Sequence, residues 1–336
     1  MELMRAARLH IPSRTLTIEE VPRPVPGPRR VLVKVEAAGV CLSDVHLIDG
    51  TLTPTYLRQE AVTLGHEVAG TIAGLGRDVT GWAAGQRVVL QAGDIRDGVA
   101  LTRGVDYDGG WAEYALASVD TLFNLPDAIP FEQAAIIPDA VSTPWGAITT
   151  TAAVRPAQAV GVWGIGGLGA HAVQLLRAVG AYPIIAVDPL PAARRRAVDF
   201  GADMALDPAD PQLRDRVLAA GGGRALEVAF DFAGVAAVRE QALTVLAPKG
   251  RLVLVGLTDK PLSVTDGALF SYLQHQILGH YGSAVDAVPQ LVDLVEGGRL
   301  DFSRSITDVL PLSDAATAVH RLHTKEGDPI RLILRP

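Results

Sequence analysis

A glycine-rich turn near the middle of the chain constrains its fold more than any other feature. The turn, Gly164-Ile165-Gly166-Gly167-Leu168-Gly169, follows an apolar run, Ala159–Trp163, and opens an apolar stretch that ends near Val179. A short apolar run before glycines is typical of a buried strand, and the longer stretch after them of a helix. Gly164 permits a tight turn, and Gly169 permits close packing of the helix on the strand. The segment therefore predicts a strand, a turn and a helix.

The same alternation continues along the second half of the chain. From about Thr143, β-like runs alternate with helical patterns, which is typical of a parallel sheet covered by helices. The predicted strands are Ala159–Trp163, Pro183–Val187, Ala229–Phe232 and Arg251–Val255, and the predicted helices are Gly169–Val179, Leu190–Phe200, Val235–Leu246 and Val285–Glu296. We therefore expect a doubly wound parallel sheet over residues 141–280.

The first part of the chain has a different pattern. Short runs such as Val31–Ala37 and Val68–Ala73 are separated by glycine and proline. Short runs with frequent turn residues favour an all-β domain, and we expect a partly open barrel. Residues 1–140 are assigned to this domain. Residues 281–336, which end in a predicted strand at Pro329–Leu334, are expected to return to it.

Composition argues against several classes of function. The 336 residues carry a net charge of −7, which disfavours binding to nucleic acid or to an anionic membrane. The single cysteine excludes a disulfide within the chain and a zinc site of four cysteines. We expect no signal peptide. The apolar stretch Ala159–Leu176 contains glycines and His171, so we interpret it as buried structure rather than a membrane span. A cytoplasmic protein is expected.

The glycine turn also matches the fingerprint of dinucleotide sites in Rossmann-type sheets. Gly166 would let the backbone approach a pyrophosphate, which lies at the positive N-terminus of the helix. Asp188 ends the next predicted strand, where a carboxylate accepts hydrogen bonds from the adenosine ribose and repels a 2′-phosphate. This pattern predicts NAD rather than NADP. Arg194, Arg195 and Arg196 follow and offer positive charge for such a phosphate, but we interpret them as an exposed helix face.

Three separated residues have the chemistry of a catalytic zinc site. Cys41, His66 and Asp139 offer a thiolate, an imidazole and a carboxylate, which are all zinc ligands. Singly, each has an ordinary explanation, as a buried small residue, a satisfied histidine and a helix cap respectively. Together they interrupt apolar segments and leave the fourth zinc position open. Because zinc lowers the pKa of a bound alcohol, the pattern with a nicotinamide predicts hydride transfer from an alcohol.

The residues around these ligands resemble a known family. The stretches Gly39-Val40-Cys41-Leu42-Ser43-Asp44-Val45-His46 and Gly65-His66-Glu67 are similar to those of the zinc-containing alcohol dehydrogenases of the medium-chain dehydrogenase/reductase superfamily. The resemblance covers essentially the whole chain and implies a GroES-like barrel domain, a catalytic zinc ion and NAD. It implies that Cys41 and His66 bind the zinc ion. Where many members have a cysteine as third ligand, this chain has Asp139, and in this it is similar to bacterial secondary-alcohol dehydrogenases.

The resemblance also implies roles for residues near the ligands. Ser43 and His46 would carry the alcohol proton to solvent by way of a ribose hydroxyl, whereas the ordinary alternative for Ser43 is a turn hydroxyl. Asp44 would orient the ligand histidine, and Glu67 would lie beneath the zinc ion or bind it transiently.

In the cofactor site, the resemblance places Gly167 in the phosphate turn. It implies that Thr143 and Leu168 flank the nicotinamide and that Arg331 reaches the pyrophosphate. Leu52, Tyr56 and Trp111 are candidates for the substrate pocket.

One departure from the family concerns the loop after Val88–Leu90. Members with a structural zinc lobe carry four clustered cysteines there, and Gln91–Gly110 contains none. Its aspartates (Asp94, Asp97, Asp106 and Asp108) have the chemistry of a cation site, but we interpret them as a solvated acidic loop. We therefore expect one zinc ion per chain.

Two other functions stay open at this point. One is a zinc-free quinone or enoyl reductase on the same scaffold, although such relatives generally lack the pattern at Cys41 and His66. The other is a non-catalytic family member. The segment Phe270–Gly282 predicts an apolar edge strand, and the resemblance implies that this strand pairs with its twofold mate in a second copy. The ordinary alternative is that Ile277 and Leu278 are covered by their own chain. We expect a homodimer or a tetramer built from such dimers, with an alcohol or ketone as the only other partner.

Overall fold

The computed structural model describes residues 2–284 and 286–336, which form two compact units. One unit contains residues 2–140 and 286–336, and the other is Val141–Ala284. Val285, the first residue of a predicted helix, lies outside the described residues. The strands are β1 (Leu3–His10), β2 (Thr15–Pro22), β3 (Arg30–Val40), β4 (Ala61–Thr63), β5 (Val68–Leu75), β6 (Arg87–Leu90), β7 (Gly93–Arg96), β8 (Val99–Thr102), β9 (Tyr114–Ser118), β10 (Leu122–Asn124), β11 (Val160–Trp163), β12 (Ile184–Val187), β13 (Met204–Leu206), β14 (Leu226–Asp231), β15 (Leu246–Leu254), β16 (Gln276–Gly279), β17 (Ile306–Pro311) and β18 (Arg331–Arg335). The helices are α1 (Leu42–Asp49), α2 (Phe131–Ile136), α3 (Ser142–Gly146), α4 (Gly167–Val179), α5 (Pro191–Asp199), α6 (Leu213–Ala220), α7 (Ala236–Leu243), α8 (Gly267–Tyr272), α9 (Ala287–Glu296) and α10 (Ala315–Thr324).

A seven-stranded sheet forms the centre of the first unit. Its strands lie in the order β10-β6-β5-β3-β18-β17, and β9 pairs with the first part of β3. A three-stranded sheet, β2-β1-β4, shares the same core, because Leu9 of β1 and Val62 of β4 belong to one buried cluster with Val33 of β3 and Leu332 of β18. β9 alternates between buried and partly buried residues, whereas β3, β6 and β18 are buried along most of their length.

The second unit is a six-stranded parallel sheet with the order β13-β12-β11-β14-β15-β16. Counted along the chain, this is the 3-2-1-4-5-6 order of the doubly wound dinucleotide fold. Every residue of β11 and β12 is buried, as expected for strands with helices on both faces. The predicted doubly wound sheet is confirmed. Among the described residues, the edge strand β16 pairs with β15 along one side only, and β13 forms the opposite edge.

One boundary differs from the prediction for a local reason. The predicted helix Val235–Leu246 ends earlier, at Leu243, and β15 begins at Leu246 rather than at Arg251. Pro248-Lys249-Gly250, which lie between Leu246 and Arg251, have the composition of a turn but form an irregularity within β15. The pairing of β14 with β15 shifts there, and Lys249 has a positive φ of 63°.

No helix in the described part of the chain is both long enough and apolar enough to cross a membrane.

Candidate metal centre and dinucleotide site

The register of three strands gathers the metal-centre residues at one edge of the seven-stranded sheet. β3 ends at Val40 and runs antiparallel to β5, with Ala38 opposite Val68. Residues just after β3 therefore meet residues just before β5, which brings Cys41 to His66. On the other side of β3, Leu332 lies opposite Val40, so Arg331 lies beside Cys41.

Asp139 is presented to this edge by an unusual helical segment. α2 packs against β3 and β5, and the chain continues from it into a π-helical turn, Ile137–Val141. Single π-helical turns are uncommon and occur frequently at functional sites. The carboxylate of Asp139 reaches Cys41, 98 residues earlier in the chain, and His66, 73 residues earlier.

The donor atoms of the three residues converge on one point. Asp139 Oδ2 lies 3.2 Å from Cys41 Sγ and 3.2 Å from His66 Nε2. With a carboxylate oxygen of Glu67 they form a group whose ligand atoms all lie within 4.8 Å of one another. Sulfur, imidazole nitrogen and carboxylate oxygen are the donors that zinc prefers, so the residues present fit a zinc ion. This is the only such group of cysteine, histidine and acidic residues among residues 2–284 and 286–336.

Asp44 lies next to both Cys41 and His66. Its Oδ2 accepts a hydrogen bond from the Cys41 backbone N–H at 2.9 Å, and its Oδ1 lies 3.7 Å from His66 Nδ1. The side chain is fully buried. A carboxylate facing the far ring nitrogen fixes the orientation of a ligand histidine. The 3.7 Å separation is longer than a hydrogen bond, so the orienting role of Asp44 stays a prediction.

Glu67 lies fully buried beside the three candidate ligands. Its Oε1 accepts a hydrogen bond from the Ala140 N–H at 3.1 Å and lies 3.5 Å from Arg331 Nη2. Its Oε2 is buried with no hydrogen-bond partner among the described residues. A buried carboxylate oxygen without a partner is costly unless something completes it, and an adjacent cation would do so. Glu67 thus fits a place next to a metal ion.

The electrostatics of the cluster reflect opposing effects of burial and neighbouring charge. Burial acts to raise the pKa of Asp139, but the hydrogen bond from His66 and the positive charge of Arg331 hold that pKa well below its usual range. Burial acts to lower the pKa of His66, but Asp44 and Asp139 raise it well above its usual value. Histidine coordinates zinc only as neutral imidazole, so a proton and a metal ion compete for this ring.

The two remaining acids of the cluster show the effect of burial directly. Burial raises the pKa of Glu67 to about 7, against the attraction of Arg331. Burial also raises the pKa of Asp44. An adjacent metal cation would favour the charged form of both carboxylates.

Ser43 and His46 lie on α1, directly after Cys41. They are three residues apart on a helix, so they lie on the same face, and both are partly exposed. Their role in a proton relay stays a prediction.

In the second unit, the glycine turn has the conformation that its sequence predicts. Gly164 has a positive φ of 86°, which side chains rarely adopt. A β-carbon on Gly169 would lie 1.8 Å from the Gly164 carbonyl oxygen, so only glycine permits this packing of α4. Gly166 caps α4, and the space beside its α-carbon is open. Gly167 and Leu168 follow in the first turn of the helix, where backbone N–H groups bind anions.

Asp188 follows β12 and is held by two backbone N–H groups. Its Oδ2 accepts from Ile165 of the glycine turn at 2.7 Å, and its Oδ1 accepts from Leu190 at 2.9 Å. Each carboxylate oxygen keeps a second lone pair for a ligand hydroxyl. Thr143 lies buried in α3 of the same unit.

Two expectations need correction. Trp111 is fully buried and donates from Nε1 to the Gly39 carbonyl at 3.0 Å, so it packs beneath the metal centre and does not line a substrate pocket.

Gln91–Gly110 is not simply a solvated loop, because β7 and β8 form a hairpin in it. Three of its four aspartates accept hydrogen bonds: Asp94 from Arg96, Asp106 from the Tyr56 and Thr102 N–H groups, and Asp108 from Arg8 and the Thr63 N–H.

The structure also adds detail that the sequence did not supply. Arg331 is buried and bonded to the Val40 carbonyl and to Glu67, a partner that the sequence analysis did not identify. Gly39 was quoted only as part of a motif, yet it makes room for Glu67. A glycine inside a strand indicates a close approach, but the predicted strand ended at Ala37, whereas β3 extends to Val40.

Comparison with known proteins supports this description. The family model of the alcohol dehydrogenase GroES-like domain matches residues 27–127, and that of the zinc-binding dehydrogenase matches residues 167–297. A probable zinc-binding alcohol dehydrogenase of Mycobacterium tuberculosis is 32% identical over 331 residues, covering 93% of this chain and 83% of that protein. The chain belongs to the zinc-binding alcohol dehydrogenases of the medium-chain dehydrogenase/reductase superfamily, a family of nicotinamide-dependent alcohol oxidoreductases. The expected family, fold and enzyme class are confirmed.

Two solved structures are similar along their whole length. The 2R,3R-butanediol dehydrogenase from Bacillus subtilis has a TM-score of 0.91 and 25% identity, with 99% of each chain covered. The acetophenone reductase from Geotrichum candidum, solved in complex with NAD, has a TM-score of 0.86 and 27% identity, with 100% of this chain and 98% of that chain covered.

Proposed function

We propose that this protein is an NAD-dependent zinc enzyme that interconverts a secondary alcohol and its ketone, and that Cys41, His66 and Asp139 hold the zinc ion. The observation that carries the proposal is the convergence of Cys41 Sγ and His66 Nε2 on Asp139 Oδ2, each at 3.2 Å. Zinc bound by three protein ligands supplies a Lewis acid with one position open for an alcohol oxygen.

The proton of the alcohol would leave through this chain's own residues. The hydroxyl of Ser43 would take the proton, and the imidazole of His46, one helical turn further along α1, would deliver it to solvent. Both side chains are partly exposed, which a path to solvent requires. Asp44 would keep His66 oriented, and Glu67 with Arg331 would fix the floor of the site.

The second unit supports NAD as the cofactor. The open face of the glycine turn fits a pyrophosphate, and Asp188 is oriented to accept the ribose hydroxyls. A cavity of about 350 Å³ lies at the ends of β15 and β16, in the half of the sheet that β14, β15 and β16 form. Val255, Gly256 and His280 are among the residues that line it. Dinucleotides bind across both halves of such a sheet, so this cavity fits the nicotinamide half. We assign Thr143 and Leu168 to that half as well.

The substrate class rests on the relatives and on the third ligand. Butanediol dehydrogenase and acetophenone reductase carry secondary alcohols or ketones in their names, and an aspartate at the position of Asp139 is similar to secondary-alcohol dehydrogenases. The assembly that we propose is a homodimer, or a tetramer of dimers, formed through the unpaired side of β16.

The proposal is tested by metal analysis combined with turnover. Purified protein should contain one zinc ion per chain and should oxidise 2-butanol or 1-phenylethanol with NAD faster than the corresponding primary alcohols. Removing zinc with a chelator should abolish turnover, and adding zinc back should restore it. Two tightly held zinc ions, turnover that survives chelation, or a preference for primary alcohols would each contradict part of the proposal.

A further inference from the structure

Two carboxylates meet at the end of the sheet where adenosine is expected. β12 and β13 are parallel neighbours, with Val187 opposite Leu206, and the Asp188 N–H donates to the Leu206 carbonyl at 3.1 Å. The residues that follow these strands, Asp188 and Asp207, therefore lie at the same edge. The first was predicted from the sequence, and the second was not.

Arg194 lies between these two segments. It projects from the first turn of α5, and its Nη1 donates to the Asp188 carbonyl at 2.7 Å, to the Pro189 carbonyl at 2.8 Å and to Asp207 Oδ2 at 2.9 Å. Its side chain is 23% exposed, and that of Asp207 is 40% exposed. The guanidinium is thus bound to the backbone of the strand end and paired with one carboxylate.

The position of Arg194 matters for the choice of cofactor. In sheets of this order, an arginine near the acid that ends the second strand accommodates the 2′-phosphate of NADP. Arg194 stands at that position, but its charge is offset by Asp207.

The two neighbouring arginines, Arg195 and Arg196, are not placed to bind a 2′-phosphate instead of Arg194. Arg196 donates from Nη2 to the Ile165 carbonyl of the glycine turn at 2.6 Å, and Arg195 lies on the exposed face of α5. Of these three arginines, Arg194 is therefore the one that Asp207 pairs with and partly neutralises.

We infer that Asp207 is a specificity-determining residue, which keeps Arg194 from binding a 2′-phosphate and so excludes NADP. The inference rests on the proposed preference for NAD and deepens it. Asp188 favours the ribose hydroxyls by contact, whereas Asp207 acts through Arg194. Discrimination against NADP is then divided between two carboxylates on adjacent strands.

The test is the ratio of dissociation constants for NADP⁺ and NAD⁺, measured by calorimetry without substrate. Asp207→Asn removes the charge and keeps a side-chain oxygen for the Ala209 N–H, which Asp207 Oδ1 now accepts at 2.9 Å. This variant should shift the ratio toward NADP⁺ by about three- to fivefold, as expected for a partly exposed ion pair. Asp207→Ser, which also retains an oxygen, should give the same direction if the asparagine variant is unstable.

Two further variants make the result specific. Asp210→Asn removes an equal charge three residues away from a pair with Arg216, and it should leave the ratio unchanged. Adding Arg194→Gln to Asp207→Asn should abolish the gain, because the phosphate then has no released guanidinium to bind.

The possible failures are distinguishable. If the unaltered protein binds NADP⁺ more tightly than NAD⁺, the proposed cofactor preference is wrong. If it prefers NAD⁺ but Asp207→Asn leaves the ratio unchanged, or shifts it no more than Asp210→Asn does, the role of Asp207 is wrong and the cofactor proposal stands.

Discussion

The carboxylate of Glu67 occupies the space that a β-carbon on Gly39 would need. Such an atom would lie 1.9 Å from Glu67 Oε2 and 2.9 Å from Glu67 Cβ. Gly39 is in β3, and its carbonyl accepts the Trp111 indole N–H. A glycine in the strand thus decides where Glu67 lies, and Glu67 in turn bonds to the Ala140 N–H beside Asp139.

Gly39→Ala should weaken zinc binding and destabilise the fold. Glu67 cannot move its oxygen alone, because its own β-carbon is also too close. We expect a loss of about 1–3 kcal/mol in the free energy of unfolding, as for other overpacked sites, and roughly 10–100-fold weaker zinc binding, as for lost supporting contacts. Urea unfolding and chelator competition measure the two effects. The control is Gly74→Ala in the same sheet, where a β-carbon meets only Leu32 Cβ at 3.7 Å. Equal effects of both variants would contradict the explanation.

Asp139→Asn should release the zinc ion. The amide has nearly the same shape but is neutral, and a neutral amide is a poor zinc ligand. Since loss of a supporting contact already costs roughly 10–100-fold, loss of a ligand should weaken binding by more than about 100-fold and reduce turnover in parallel. Zinc content after dialysis against a chelator is the measurement. Asp108→Asn, whose carboxylate accepts from Thr63 instead, should retain zinc. Full zinc occupancy in Asp139→Asn would remove Asp139 from the ligand set.

His280 should make the protein less stable in mild acid. Burial holds the pKa of this imidazole below its usual 6.5, and its Nδ1 is 2.8 Å from Thr151 Oγ1. The unfolded chain therefore binds a proton at this residue more readily than the folded chain does. The contribution of His280 to the free energy of unfolding is therefore fully present above about pH 6.5. It decreases as the pH falls below that value, and it becomes constant below the lowered pKa of the folded protein.

Comparing the unaltered protein with His280→Gln isolates this contribution. Urea unfolding between about pH 5 and 8 should show stability falling less steeply toward acid in the variant. The difference in free energy of unfolding between the two proteins near about pH 8, where His280 is neutral in both states, gives the effect of the substitution itself. Parallel curves over the whole range would show that His280 contributes nothing to the pH dependence.

Leu278→Lys should dissociate the assembly. Within the part of the chain that the structure describes, β16 pairs on one side only. Ile277 of this strand packs against the core of its own unit, so Leu278 is the better residue to change. A lysine at an unpaired edge opposes pairing with a second copy. Light scattering should give a dimer or tetramer for the unaltered protein and a species near 35.3 kDa for the variant. Leu75→Lys, at an exposed position of β5, should leave the assembly intact. An unaltered protein that is already monomeric would refute the proposed assembly.

Local patterns in the sequence were sufficient for much of the architecture. The alternation of strands and helices after Thr143, the glycine turn and Asp188 depend on short-range rules of burial and backbone freedom, and the structure follows them. The β13 strand and α6 were missed, because Met204–Leu206 is short and α6 is weakly amphipathic. The start of β15 was predicted too late, at Arg251 rather than Leu246, since proline and glycine are typical of loops as well as of irregular strands.

The sequence by itself determined the chemistry that this chain carries: one thiol, the ligand types at Cys41, His66 and Asp139, and the fingerprint of a dinucleotide turn. Only the tertiary structure decided how these groups meet. The register of β3 with β5 and β18, the π-helical turn at Asp139, the fit of Glu67 against Gly39 and the pairing of Arg194 with Asp207 all join residues of separate segments. Such contacts follow from strand order and packing, and a periodicity of two or 3.6 residues contains no information about them.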